Sequence, residues 1–410
     1  MHNETSTNHK VKAVDLFCGC GGLSLGLSSG DIEIIQAIDN WDAAIKTYSN
    51  NFSHNSAIGE ISTHTPILPA DVIVGGPPCQ GFSSAGSRRA NDHRNSLVGV
   101  FADLIATAKP SGFLFENVEG FLTAEGGRFV IDLLDPLIEA GYHIHVRKVN
   151  VANYGVPQHR KRIIAIGGLG RPPVFPVATH AALGAPGAAR LNRIGMPISP
   201  SVLDAIGNLP PATSQTSAAT IPPQHSFIEL NDSDLRRARL LKPGQKMKDL
   251  PEELWHPSYA RRANRRVRDG IPTERRGGAP SGIRRLEGHL PSKAITSAAF
   301  REFVHPTEHR LLSLRECARL QSFPDDFEFA GNRNEVMLQI GNAVPPRFAS
   351  VLSGALHQIA TSERNTHSDG RLISFWPTNS SGMSPALRNV TDLVRRRYGY
   401  DFFQEVELCL

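Results

Sequence analysis

The residues best suited to chemistry lie in one run, Val74-Gly75-Gly76-Pro77-Pro78-Cys79-Gln80-Gly81-Phe82-Ser83. Val72, Ile73 and Val74 read as a short buried strand, stopped by two glycines and two prolines. Proline fixes φ and lacks a donor, and glycine allows close backbone approach. The turn therefore holds the Cys79 thiol at the carboxyl end of a strand, with room beside it for a flat ligand. A lone cysteine in such a loop is more often a buried structural residue. Its neighbours shift the balance toward a nucleophile. The apolar run Gly112 to Phe115 leads directly into Glu116-Asn117-Val118. A carboxyl at that strand end is expected to be partly desolvated and fit to carry a proton near neutral pH.

The elements that must position these groups alternate strand and helix. Lys12 to Phe17 reads as a strand ending in Asp15-Leu16-Phe17-Cys18-Gly19-Cys20-Gly21-Gly22, with Leu23, Leu25 and Leu27 continuing toward a helix. Strand, glycine loop and helix make a nucleotide-type turn, although the third glycine of the dinucleotide fingerprint is missing. Ile32 to Ile38 is a second strand ending in Asp39, about twenty residues past the loop, where an acidic side chain can accept from ribose hydroxyls. Helices are expected over Asp42–Asn50, Ser96–Ala108 and Arg128–Ala140, and strands over Tyr142–Asn150 and Arg162–Gly167. The polar loop from Ser83 to Asn95 has the length and composition of a mobile lid. The alternation predicts a doubly wound, mostly parallel sheet.

The alternation stops near Gly168. A stretch rich in Pro, Ala, Gly and Ser follows, and then a basic one: Asn231 to Leu290 holds 15 Lys/Arg against 8 Asp/Glu, a larger surplus than the net +5 of all 410 residues. So concentrated a charge favours a polyanionic partner. Arg261-Arg262 and Arg265-Arg266 stand four apart, on one face if helical. We divide the chain into 12–168, a basic unit over 169–292, a return over 293–360 beginning near Ala294-Ile295-Thr296, and a tail over 361–410 with no assigned role. Five scattered cysteines do not make a disulfide framework, and Cys18 and Cys20 are not spaced as a zinc pair. The polar start and the lack of a long apolar run point to a cytoplasmic protein away from membranes.

Six blocks, in order, resemble the DNA cytosine-5 methyltransferases of bacterial restriction-modification systems. They are Asp15 to Gly22, Gly75 to Ser83, Glu116-Asn117-Val118, Gln158-His159-Arg160-Lys161-Arg162, Arg315 to Pro324, and Gln339-Ile340-Gly341-Asn342-Ala343-Val344-Pro345. The resemblance implies a Rossmann-like, S-adenosylmethionine-dependent catalytic fold with a smaller basic target-recognition domain. It implies S-adenosyl-L-methionine as cofactor and double-stranded DNA as partner, with the enzyme a monomer. A cognate restriction endonuclease would act on the same site without a stable complex. On the family's pattern Phe17, Trp41, Glu60 and Ile61 lie about the adenine, and the backbone of Gly19, Gly21 and Leu23 holds the methionine part. Asp39 binds the ribose, and Pro78 and Asn342 complete the pocket. Asp39 stands where Glu is commoner and Glu60 where Asp is, and either Asp39 or Asn40 could face the ribose.

The implied chemistry agrees with the residues. C5 of cytosine is a poor nucleophile until a thiolate adds at C6, the role implied for Cys79. A free thiol, with a pKa of about 8.5, is mostly protonated at neutral pH and needs help to ionise. Glu116 would bind and protonate N3, and Arg162, supported by Arg160, would hold O2. The base would be flipped out of the duplex. Ser83 and Arg94 would lie near the phosphates, Arg261 and Arg265 in the major groove and Thr296 beside the flipped base. A tRNA-modifying branch shares this motif set, but the long basic insert favours duplex DNA. An inactive DNA-binding member is disfavoured by intact Cys79, Glu116 and Arg162, and a nicotinamide oxidoreductase leaves Cys79 unexplained.

Overall fold

The structure is a computed structural model, and it describes residues 10–78, 97–185, 195–214, 222–260, 282–378 and 382–399. Cys79, Ser83, Arg94, Arg261 and Arg265 lie outside the described residues.

Eight strands form the central sheet: β1 (Val11–Leu16), β2 (Ile32–Asp39), β3 (Ser56–Ile58), β4 (Val72–Gly75), β5 (Gly112–Asn117), β6 (Tyr142–Asn150), β8 (Lys161–Leu169) and β12 (Arg371–Trp376). Short pairs occupy the numbers between: β7 (Gln158–His159) with β10 (Ser292–Lys293), and β9 (Arg284–Arg285) with β11 (Phe303–Val304). The sheet order is β12-β6-β8-β5-β4-β1-β2-β3, parallel except for β8, which runs against both β5 and β6. Strands β4 and β5 are buried along their whole length, as the continuous apolar runs predict for strands covered on both faces.

Helices α1 (Gly22–Ser28) and α2 (Asp42–Asn51) follow β1 and β2, and α3 (Leu97–Ala108), α4 (Gly120–Thr123) and α5 (Arg128–Glu139) surround β5. Phe101, Ile105, Leu133 and Leu137 pack on one face of the sheet with Phe113 and Phe115. The other face packs Leu23 and Leu27 against Phe348 and Leu352, which belong to a helix over Pro346–Thr361. The result is a three-layer α/β/α arrangement. Chain order reverses between β1 and β4, with Leu16 opposite Gly75, so the glycine loop and the Gly76-Pro77-Pro78 segment leave the sheet side by side. That is the switch point at which open α/β sheets bind ligands.

Two features differ from the sequence reading. Ser292–Lys293 forms the strand, and Ala294-Ile295-Thr296 is irregular. Ile295 lacks a ladder partner because side chains take its backbone: Gln158 Oε1 accepts its N–H at 3.0 Å and Arg160 Nη1 donates to its carbonyl at 2.9 Å. The tail, which had no role, supplies the outermost strand. β12 pairs in parallel with β6, and the helix Pro385–Tyr398 returns Val390 and Val394 to the core beside Phe375. His145 fastens it, with Nε2 donating to the Pro173 carbonyl at 2.9 Å and Nδ1 accepting from Ser374 Oγ at 2.6 Å. Burial holds that imidazole down to a pKa of about 4, so it stays neutral.

Candidate active site

The turn that leads to Cys79 is tied to the strand that carries Glu116. Asn117 Nδ2 donates to the Pro77 carbonyl at 3.5 Å, and a Cβ added at Gly76 would stand 3.2 Å from Glu116 Oε2. Glu116 is 8% exposed, as a carboxyl at the end of an apolar strand should be. Across the antiparallel pair, Arg162 Nε lies 2.6 Å from Glu116 Oε1. Neither atom completes an aligned hydrogen bond. The two groups attract by charge at short range and keep directional capacity for a planar ligand. Arg160 is not turned to this pair: it is buried, and donates to the carbonyls of Ile295 and, at 2.7 Å, of Gly341.

On the other side of the switch point, the glycine loop takes left-handed backbone at Phe17, Gly19 and Gly21, and a Cβ at Gly19 would meet nothing within 4 Å. That leaves open space beside the loop. Asp39 braces it, since Oδ2 accepts from the Gly19 N–H and Oδ1 from the Trp41 N–H, each at 2.9 Å. Both oxygens are thus engaged by backbone, and Asn40 beside them is exposed. Burial raises the Asp39 carboxyl above the usual range, against the pull of those N–H donors. Trp41 is half-buried, Ile61 buried and Glu60 exposed. The return closes on the same loop: the Val344 carbonyl lies against Gly22, and Asn342, just before it, is exposed. Thr296 is exposed too, its backbone pressed against Gly341.

Beneath the loop runs a buried chain that sequence reasoning missed. Ser24 Oγ donates to Asp15 Oδ2 at 2.6 Å, Tyr48 donates to Ser24 Oγ at 2.7 Å, and His54 Nε2 meets the Tyr48 hydroxyl at 2.6 Å. Asp15 Oδ1 has no partner, and burial pushes this carboxyl up to about 7, Ser24 opposing and Asp39 adding to the rise. Gln158 and Gln321 were missed as well. Both are completely buried, and Gln158 Nε2 donates to Gln321 Oε1 at 2.6 Å. Asp15, Gln158 and Gln321 all stood in the matching blocks, but nothing in their spacing distinguished a partner in a buried network from a surface residue.

A family model described as C-5 cytosine-specific DNA methylase matches residues 11–358. The Type II methyltransferase M.NgoFVII of Neisseria gonorrhoeae is 32% identical over 357 residues, covering 85% of this chain and 86% of that protein. M1.HphI of Haemophilus parahaemolyticus, also a Type II methyltransferase, is 30% identical over 363 residues, covering 85% and 87%. Among solved structures, a prophage-encoded DNA modification methyltransferase of E. coli aligns with a TM-score of 0.61 at 22% identity, over 86% of this chain and all of that one. The S. pombe Dnmt2 methyltransferase aligns at 0.53 and 14% identity, over 85% and 98%. At those identities the structural likenesses speak for the fold. The strand β12 and the helix after it lie beyond the matched residues.

Proposed function

The chain belongs to the C-5 cytosine-specific DNA methylases and is a DNA cytosine-5 methyltransferase, and on that premise we propose that it modifies a flipped-out cytosine at a specific duplex sequence through a covalent adduct with Cys79. The single observation that carries the proposal is the placement of Glu116 and Arg162 together, beside the turn that delivers Cys79. Cytosine presents N3, the 4-amino group and O2 along one edge. A carboxyl and a guanidinium on neighbouring strands match that edge.

In this reading the Cys79 thiolate adds to C6 while Glu116 donates a proton to N3, so electron density passes to C5 without leaving an anion on the ring. Arg162 holds O2 and steadies the charge that develops there. S-adenosylmethionine, when bound, supplies an electrophilic methyl group. Glu116 then recovers the N3 proton, a base takes the C5 proton, the C5=C6 double bond reforms and Cys79 leaves as thiolate. The residues suit that cofactor: the open backbone at Gly19 leaves room for its methionine part, and half-buried Trp41 offers apolar surface for the adenine. Exposed Asn40, next to the bracing Asp39, is the group free to meet the ribose. Ser83, Arg94, Arg261 and Arg265 would serve the duplex, and Thr296 the flipped base. The division into a catalytic unit, a target-recognition unit over 169–292 and a catalytic return remains our reading. The modification would protect DNA from a cognate endonuclease, and a cytoplasmic monomer suits that task.

The test is bisulfite sequencing of DNA, with tRNA in parallel, from a host lacking cytosine methylation that expresses this chain. Methylation at one short DNA motif supports the proposal and identifies its site. Clean DNA with modified tRNA would overturn it.

A further inference from the structure

Gln158, Arg160 and Arg162 are spaced two apart along one extended run, and each reaches a different part of the site. Arg162 meets Glu116. Arg160 donates to the carbonyls of Ile295 and Gly341. Gln158 accepts the Ile295 N–H at 3.0 Å and donates to the Leu320 carbonyl at 2.9 Å and to Gln321 Oε1 at 2.6 Å. Gln321 passes the connection on, its Nε2 donating to the Ile340 carbonyl at 2.5 Å. Both polar groups of Ile295, the residue before Thr296, are therefore clamped from the run that carries Arg162. The end of the helix Arg333–Asn342 is clamped from the same place.

We propose that Gln158 and Gln321 are positioning residues that couple closure of the cofactor pocket at Asn342 to seating of the base at Arg162 and Thr296. The inference rests on the functional reading above. Its physical basis is that both amides are fully buried. No water can replace a lost partner there, and an unsatisfied buried group costs on the order of 1–3 kcal/mol. The three segments consequently shift together or not at all. A ligand that draws in Asn342 moves Ile295 and the Arg162 run toward the arrangement the base needs, and by reciprocity the base favours the cofactor.

The experiment uses the full chain and S-adenosylhomocysteine, titrated calorimetrically into free protein and into protein saturated with a duplex carrying the mapped methylation site. The ratio of the two affinities is the coupling. We expect about tenfold for the wild type, within the usual range for coupled sites. In Gln321→Met it falls to about one, while affinity for S-adenosylhomocysteine alone stays within about threefold of wild type. Should that variant fail to fold, Gln321→Glu keeps the acceptor for Gln158 and removes the donor to Ile340. Phe375→Ala weakens the core at the outermost strand, β12, where it touches neither amide's hydrogen bonds, and must leave the ratio intact, which separates positioning from general loss of stability. A ratio of one in the wild type, or an unchanged ratio in the Gln321 variants, overturns the inference while leaving the functional reading in place. A chain that methylates no cytosine in DNA removes both.

Discussion

Arg162 Nε approaches Glu116 Oε1 to 2.6 Å across the antiparallel pair β8 and β5, with both side chains largely buried. The pairing sets the guanidinium and the carboxyl side by side on rigid strands, where a base edge can bridge them. Glu116→Gln keeps the shape and loses the transferable proton. Methyl transfer should then fall by about 10²- to 10⁴-fold, the usual contribution of general acid–base catalysis, with cofactor affinity unchanged. Steady-state kinetics on duplex DNA would check this; near wild-type turnover would remove Glu116 from the chemistry.

Asp15 makes stability depend on pH. Its carboxyl is raised from 3.8 to about 7, so the native state holds this proton more tightly than the unfolded chain does. The contribution is fully present below about pH 4 and is lost as pH rises toward 7, with a slope of at most about 1.4 kcal/mol per pH unit. Asp15→Asn can still accept from Ser24 and should flatten that slope. Urea unfolding of both proteins between pH 5 and 8 would show the variant gaining on the wild type as pH rises. Parallel curves would refute the assignment.

Helices α1 and Pro346–Thr361 touch where Gly26 has no side chain. A Cβ there would fall 2.1 Å from the Pro346 carbonyl and 2.4 Å from Ala349 Cβ. Gly26→Ala should cost about 1–3 kcal/mol through overpacking. Gly354, on the exposed side of the second helix, meets nothing within 4 Å. Gly354→Ala should instead gain up to about 1 kcal/mol from helix propensity. Opposite shifts in the urea midpoint are the expected result.

The tail is held by apolar burial more than by charge. Phe375 is fully buried in the main core, and its change to Ala should cost about 3–5 kcal/mol. Arg397 pairs with Asp135 at 2.6 Å but is half exposed, so screening by water leaves the pair little weight and Arg397→Ala should cost far less than the Phe375 change. Thermal melts of the two variants would rank them.

Much of the sheet was legible because period and punctuation are local. The runs around Val74, Phe115 and Ile164 announce buried strands, and the glycine and proline turns announce their ends. The direction of β8 was not legible, since an apolar run reads the same whichever way it pairs. Neither was β12, whose partner β6 lies more than two hundred residues earlier. In the site, Glu116 could be found because burial at a strand end follows from the residues before it. The resemblance already gave Arg162 the leading part and Arg160 a supporting one, but the form of that support was not legible: both are arginines in one motif, and only the packing turns one to the Glu116 carboxyl and the other to the Ile295 and Gly341 carbonyls.

The central claim is that Cys79 adds covalently to cytosine beside Glu116 and Arg162. The direct measurement is incubation with S-adenosylmethionine and a duplex carrying 5-fluorocytosine at the mapped site. Fluorine at C5 cannot leave as a proton does, so the adduct cannot resolve. We predict a complex that survives denaturation, with the modified nucleotide on the Cys79 peptide by mass spectrometry, and none from Cys79→Ala. Methylation of the ordinary duplex with no trapped complex on the fluorinated one, or a complex at another residue, would contradict the account.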